Sequence, residues 1–302
     1  MGICDDRVVI VTGAGRGIGR GHALEFARAG AKVVVNDLGA EIDGTGGSTG
    51  PAGEVVDAIR AMGGEAVVNG DDVADWEGAQ RLIQTALDAF GTLDVLVNNA
   101  GFLRDRMVVT TSEEEWDAVI RVHLKGHFAP TRFAAAYWRE QQKNGVAVDG
   151  RVINTSSGAG LMGSVGQGAY SAAKAGIAGL TMVESAELAR YGVTANAIAP
   201  AARTRMTEAV FADTMAAPET ATAFDVMAPE NIAPLVVWLG SSESAGVTGR
   251  VFEVEGGVIS VADGWSHGPR EDKGARWEPA EIGPVVARLL ADAPAPTPVY
   301  GT

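Results

Sequence analysis

Short runs of β-branched residues alternate with stretches of helical periodicity along most of this chain. Val8–Thr12 (VVIVT) is followed by Ile18–Ala29, Lys32–Asn36 (KVVVN) by a helix around Glu54–Met62, and Ala66–Val68 by Trp76–Phe90. Val95–Asn98 precedes Glu113–Ala136, Arg151–Thr155 precedes Tyr170–Tyr191, and Thr194–Ala199 and Val251–Val254 add two further strands. Strands that are continuously apolar are buried on both faces, and helices between them supply the cover. With right-handed crossovers the pattern implies an α/β fold, a doubly wound parallel sheet. The 40 glycines, about twice the usual ~7% share, fall mostly at the junctions between runs.

Several classes are excluded early. Hydrophobic residues make up 46% of the 302 positions, enough for one large core and too many for disorder. The single Cys4 rules out an internal disulfide framework and suits a reducing compartment, so a cytoplasmic location is expected. No stretch approaches the ~20 apolar residues of a membrane span, and Met1–Asp6 is too short and acidic for a signal peptide. A net charge of −14 opposes nucleic acid as a partner. Residues 1–262 are expected to form one domain. Residues 263–302, with a short helix at Glu278–Leu290, are expected to be an extension packed on that domain or on a neighbouring subunit. Leu38–Gly53 is too glycine-rich for regular structure and is expected to be a loop.

The segment Thr12-Gly13-Ala14-Gly15-Arg16-Gly17-Ile18-Gly19 joins the first strand to the first helix. Glycines there let backbone N–H groups approach a pyrophosphate, and the helix N-terminus adds partial positive charge. Asp37 closes the second strand 18 positions after Gly19. A carboxylate at that place accepts hydrogen bonds from the adenosine ribose and repels a 2′-phosphate, so NAD is expected over NADP. The competing reading of Asp37 is a solvated acid at a strand end. Tyr170 and Lys174 stand four apart on a helix, hence on one face. A phenol with a pKa of about 10 is a poor base at neutral pH, and a nearby ammonium lowers that value.

These features together resemble the short-chain dehydrogenases/reductases, which have a Rossmann-type sheet. The Thr-Gly-x-x-x-Gly-x-Gly spacing carries the likeness, with Asn98-Asn99-Ala100-Gly101, Asp72-Val73 and Tyr170-x-x-x-Lys174, over roughly Arg7 to Val261. The resemblance implies Gly13, Gly15, Arg16, Gly17, Ile18 and Gly19 at the pyrophosphate, and Asp72 and Val73 at the adenine. It places Asn99, Ala100, Gly101, Pro200 and Thr204 near the rest of the cofactor. Ser157, thirteen positions before Tyr170, is implied to bind the substrate oxygen, Tyr170 to be the acid/base, and Lys174 also to hold the nicotinamide ribose. Two positions depart from the family pattern. His123, in Val122-His123-Leu124-Lys125-Gly126, replaces an asparagine that serves a proton relay, and is either catalytic or a buried structural histidine. Pro200-Ala201 replaces Pro-Gly. Arg16 is a place where relatives often hold a 2′-phosphate, against which Asp37 argues.

A closer likeness is to the (3R)-hydroxyacyl-CoA dehydrogenase domain of multifunctional β-oxidation enzymes, the 17β-hydroxysteroid dehydrogenase type 4 kind. It rests on Val34–Gly39, Leu103–Arg106, Val122–Leu124, Ile198–Pro200, Arg205–Thr207, Pro234–Leu239 and Phe252–Val254. It implies hydride transfer between NAD and a 3-hydroxyacyl-CoA, a fatty or steroid side-chain thioester. The alternatives are a 3-oxoacyl-thioester reductase, a dehydrogenase of free hydroxysteroids, or a non-catalytic dinucleotide sensor. Val210, Phe211, Met215, Phe224 and Met227 are read either as a lid over an acyl chain or as core packing. Arg104, Arg106 and Lys125 either meet CoA phosphates or are solvated. His123 and His127 lack the other ligands of a metal site, so no metal is expected. By resemblance the assembly is a homodimer or homotetramer.

Overall fold

In a computed structural model the protein is described over residues 2–40, 47, 50–204, 218, 220, 223–262 and 264–301. The sheet is built from β1 (Val8–Thr12), β2 (Lys32–Asn36), β3 (Ala66–Asn69), β4 (Val95–Asn98), β5 (Gly150–Thr155), β6 (Val193–Ala201), β7 (Val251–Glu255) and β8 (Val258–Ala262). Their order is β3-β2-β1-β4-β5-β6-β7-β8. All neighbours are parallel except β7 and β8, which form an antiparallel pair. The fold is the doubly wound α/β sheet that the alternating runs imply. Its strand order reverses between β1 and β4, which opens a crevice at their carboxyl ends.

Period-two alternation explains why the strands read as unbroken apolar runs. Val9 and Val11 of β1 face one layer, and Val8 and Ile10 face the other. Val33 and Val35 against Val34, and Val95 and Val97 against Leu96, repeat the split. The first layer holds α1 (Gly17–Arg28), α2 (Gly50–Ala61) and, from far along the chain, α8 (Ala233–Gly240). The second holds α3 (Trp76–Phe90), α5 (Gly126–Lys143) and α7 (Gly168–Leu188). Helix α3 begins at an Asp75 cap that accepts from Gly78 N, and α4 (Glu113–Ile120) begins at a Ser112–Glu115 capping box.

The structure differs from the sequence reading at four places. Helix α2 starts at Gly50 rather than near Glu54. Its Pro51 sits in the first turn, where the missing N–H costs nothing. The segment read as one helix over Glu113–Ala136 is α4, a π-helical turn at Arg121–Lys125, and α5. A short helix, α6 (Gly158–Met162), follows β5, and β8 adds an eighth strand after a tight turn at Gly256–Gly257. The extension carries α9 (Pro279–Asp292), on which Val285 is buried while Ile282, Val286 and Leu290 are exposed.

Candidate active site

The glycine loop owes its shape to the ends of β1 and β4. Thr12 Oγ1 accepts from Asn99 N at 2.9 Å and from Ala100 N at 3.1 Å, and Asn99 Nδ2 donates to the carbonyls of Thr12 and Gly13. A Cβ on Gly19 would lie 2.2 Å from Gly13 O, so the helix begins against the loop itself. Asp37 ties the second strand to it, with Oδ2 accepting from Gly15 N at 2.7 Å and Oδ1 from Gly39 N at 2.6 Å. The first turn of α1 contains no acidic residue, and its N-cap Arg16 makes no side-chain capping bond. The helix thus supplies no anion of its own to the N–H groups at that terminus, and the donor set fits a pyrophosphate.

Across the cavity, β5 and α7 bring together the other predicted residues. Ser157 caps α6, accepting from Ala159 N at 3.2 Å, and hydrogen-bonds Tyr170. Burial pushes the Tyr170 phenol up to about 12, against the pull of that bond. Lys174 is buried too, and desolvation brings its ammonium down to about 7. Its Nζ donates to Thr155 O at 2.6 Å and lies 5.5 Å from the centroid of the Tyr170 ring. The lowering expected from Lys174 is not found in the resting protein, where burial sets the direction and only Ser157 pulls the other way.

The π-helical turn carries His123 into the same cluster. Its ring stands edge-on to Tyr170, with centroids 5.2 Å apart and planes at 88°. Nε2 lies 2.7 Å from Phe102 O and 3.3 Å from Phe102 N. The shorter contact assigns the proton to Nε2, which donates to the carbonyl. Nδ1 is buried without a hydrogen-bond partner among the described residues. Burial, reinforced by the Lys174 charge, lowers this imidazole to about 3, so it is neutral at physiological pH. His127 is also buried; its Nε2 accepts from Thr155 N at 3.3 Å. Among the described residues no group of three or more His, Cys, Asp or Glu is placed to hold a metal ion.

A cavity of about 710 Å³ joins the two halves. Gly13, Arg16, Gly17, Ile18, Gly19, Asp37, Asp72, Val73, Asn99, Ala100, Gly101, His123, Ser157, Tyr170, Lys174, Pro200 and Thr204 all line it. Gly15 does not, because its backbone faces Asp37 and Pro51 instead. Asp72 is held at the rim by an ion pair with Arg121 at 2.5 Å and accepts from Ala74 N at 2.8 Å. Arg104, Arg106 and Lys125 are not among the lining residues, and Arg106 instead pairs with Glu115 at 3.1 Å. Of the lid candidates, Val210, Phe211 and Met215 lie outside the described residues, as does Arg205–Thr207; Phe224 is exposed.

Sequence reasoning missed Arg121, Gln167, Glu255 and Tyr300, which also line the cavity. Gln167 immediately precedes α7 and donates to both Asp105 oxygens, and its proximity to Tyr170 in sequence was a usable signal. Tyr300 had none.

The family described as short chain dehydrogenase matches residues 7–215. A hydroxyacyl-CoA dehydrogenase, ChsB1, of Mycobacterium tuberculosis is 46% identical over 285 residues, covering 91% of this chain and 86% of that protein. The peroxisomal multifunctional enzyme type 2 of Mus musculus is 46% identical over 255 residues, 84% of this chain but 32% of its own length. The chain thus spans about a third of that multifunctional relative. A crystal structure of a short chain dehydrogenase from Mycobacterium avium is 65% identical, superposes with a TM-score of 0.90 and is covered completely, as is this chain. With a glycine loop facing a Ser-Tyr-Lys cluster across one cavity, and with these likenesses, the chain belongs to the short-chain dehydrogenases, oxidoreductases that act on CH–OH groups with a nicotinamide dinucleotide.

Proposed function

We propose that the protein transfers hydride between NAD and a 3-hydroxyacyl-CoA, oxidising the C3 alcohol to the 3-oxoacyl thioester. The observation that carries the chemistry is the convergence of Ser157, Tyr170 and Lys174 on the cavity that also contains the glycine loop and Asp37. The acyl-CoA part is supported by similarity to a relative named a hydroxyacyl-CoA dehydrogenase.

In this reading the N-terminus of α1 with Gly13, Gly17 and Gly19 holds the pyrophosphate, and Asp37 receives the adenosine ribose hydroxyls. Asp72 and Val73 border the adenine. Asn99, Ala100, Gly101, Pro200 and Thr204 border the nicotinamide half, and Lys174 reaches its ribose. When bound, the nicotinamide supplies the hydride acceptor and a positive ring charge. Ser157 Oγ hydrogen-bonds the C3 oxygen and fixes it beside Tyr170. The phenolate form of Tyr170 takes the hydroxyl proton as the C3–H bond breaks, and Lys174 offsets the charge while Tyr170 is deprotonated. In the reverse direction the neutral phenol, the resting form, returns that proton. His123, neutral and bonded to Phe102, orients the Tyr170 ring rather than relaying a proton.

The proposal includes a cytoplasmic location, supported by the lone, buried Cys4, and a C₂ homodimer or a tetramer. Phe128, Met182 and Val183 on the outer faces of α5 and α7 are exposed and apolar, as such pairing needs. Among the described residues no helix is long and apolar enough to cross a membrane.

Steady-state kinetics with NAD test the substrate class. Each 3-hydroxyacyl-CoA is compared with its free acid. We expect kcat/KM to be at least about tenfold higher for the thioester, because contacts to the nucleotide handle help position the reacting carbon. Comparable values for the free acid remove the CoA assignment.

A further inference from the structure

The segment after α9 returns to the mouth of the cavity and pairs with the loop between α6 and α7. Tyr300 N donates to Gly163 O at 3.2 Å, and Val165 N donates to Tyr300 O at 2.9 Å, forming a parallel bridge between Ser164 and Tyr300. This pairing sets the phenol over the start of α6. A Cβ on Gly158 would lie 2.8 Å from Tyr300 Oη, so the tip of the ring rests on the residue that follows Ser157. Tyr300 lines the cavity together with Ser157, Gly158, Ser164 and Glu255. The chain thus brings a large aromatic side chain from the extension to within one residue of the serine that faces Tyr170.

We propose that Tyr300 is a specificity-determining residue, the wall against which the hydrocarbon tail beyond the substrate's carbinol carbon packs. The inference rests on the 3-hydroxyacyl-CoA reading for the identity of that substituent. With the carbinol oxygen held at Ser157 and Tyr170, and the cofactor half bounded by the glycine loop, Asp37 and Asp72, one substituent of C3 must face the Tyr300 side. The hydrocarbon tail suits it better than the arm that leads through the thioester to CoA. Burial and the charges of Glu253 and Glu255 raise the Tyr300 pKa, which keeps its hydroxyl neutral. The same carboxylates repel phosphates from this side. An uncharged aromatic ring beside two acids accepts a hydrocarbon chain and turns away a polyanion.

The test compares Tyr300→Ala and Tyr300→Phe with the unmodified protein. Substrates are 3-hydroxyacyl-CoAs from short chains to ring-bearing acyl groups, alongside secondary alcohols of matching bulk. Selectivity is read both as kcat/KM and as the Kd of each 3-hydroxyacyl-CoA for the complex with NADH, a dead-end pair in which no hydride can move. In Tyr300→Ala the largest acyl group gains at least about tenfold on the smallest, the fold-change that ~1.4 kcal/mol of differential binding produces. Tyr300→Phe keeps the original ranking, and the Kd for NADH alone stays within about twofold in both variants, which shows that the fold and cofactor half are intact. An unchanged ranking in Tyr300→Ala overturns the proposal. A protein that binds and oxidises only the free alcohols overturns the acyl-CoA reading instead, and the size ranking among those alcohols then decides the role of Tyr300.

Discussion

The imidazole of His123 occupies the space that any side chain at position 101 would need. A Cβ on Gly101 would lie 2.4 Å from His123 Cε1 and 2.9 Å from Nδ1. Gly101 therefore serves as the floor on which the ring lies, and the ring in turn stands edge-on to Tyr170. Local sequence binds the two positions to the cofactor and to catalysis separately; packing makes them one unit.

Gly101→Ala is accordingly expected to destabilise the protein by about 1–3 kcal/mol, the usual cost of overpacking a filled core. In a His123→Ala background the same change should cost clearly less, since the clashing ring is gone. Urea denaturation of the four members of the cycle measures the coupling. Strictly additive costs would mean that the ring relaxes away freely.

Asp37 holds the loop through Gly15 N and Gly39 N while it lines the cavity. The unmodified protein should show at least a tenfold kcat/KM preference for NAD over NADP, in keeping with repulsion between a carboxylate and a 2′-phosphate. Asp37→Ser should narrow that ratio and also raise the KM for NAD, because two backbone donors lose their acceptor. Equal use of both cofactors, or a preference for NADP, in the unmodified protein would show that Asp37 does not decide the choice.

Glu184 offers a pH-dependent test of the interior. It is buried on α7, accepts from Asn154 Nδ2 at 2.7 Å, and burial raises its pKa from the ordinary 4.5 to about 7. A carboxyl whose folded pKa exceeds its unfolded value binds its proton more tightly when folded. Its stabilising share is full below pH 4.5 and is lost as pH rises through 7. Glu184→Gln lacks this dependence. Between those pH values the variant should gain roughly 3 kcal/mol on the unmodified protein, at about 1.4 kcal/mol per pH unit. Parallel stability curves would place a charged Glu184 in the folded state.

The alternation of runs such as Val8–Thr12 with amphipathic segments was enough to read the doubly wound sheet, because each strand buries both faces. The glycine loop and the Tyr170–Lys174 pair could be read as candidates for a different reason, because backbone approach and helical spacing are local properties; Ser157 came only with the resemblance to the family. Three features escaped. His123 itself reads as catalytic or buried, but the π-helical turn at Arg121–Lys125 that carries it lies inside what reads as one continuous helix. Gly15 looks like its neighbours in the motif, yet its N–H is committed to Asp37 and it does not face the cavity. Tyr300 reaches Gly158 only through tertiary pairing with the loop after α6.

The most direct test follows a label. A 3-hydroxyacyl-CoA carrying deuterium at C3 is incubated with NAD, and the NADH formed is examined by mass spectrometry. With the unmodified protein the NADH should bear the deuterium. With Tyr170→Phe the rate should fall by at least about a hundredfold, in line with the loss of acid–base catalysis, while NADH still binds. Unlabelled NADH, or label transferred at an undiminished rate by Tyr170→Phe, would overturn hydride transfer from C3 with Tyr170 as the acid/base.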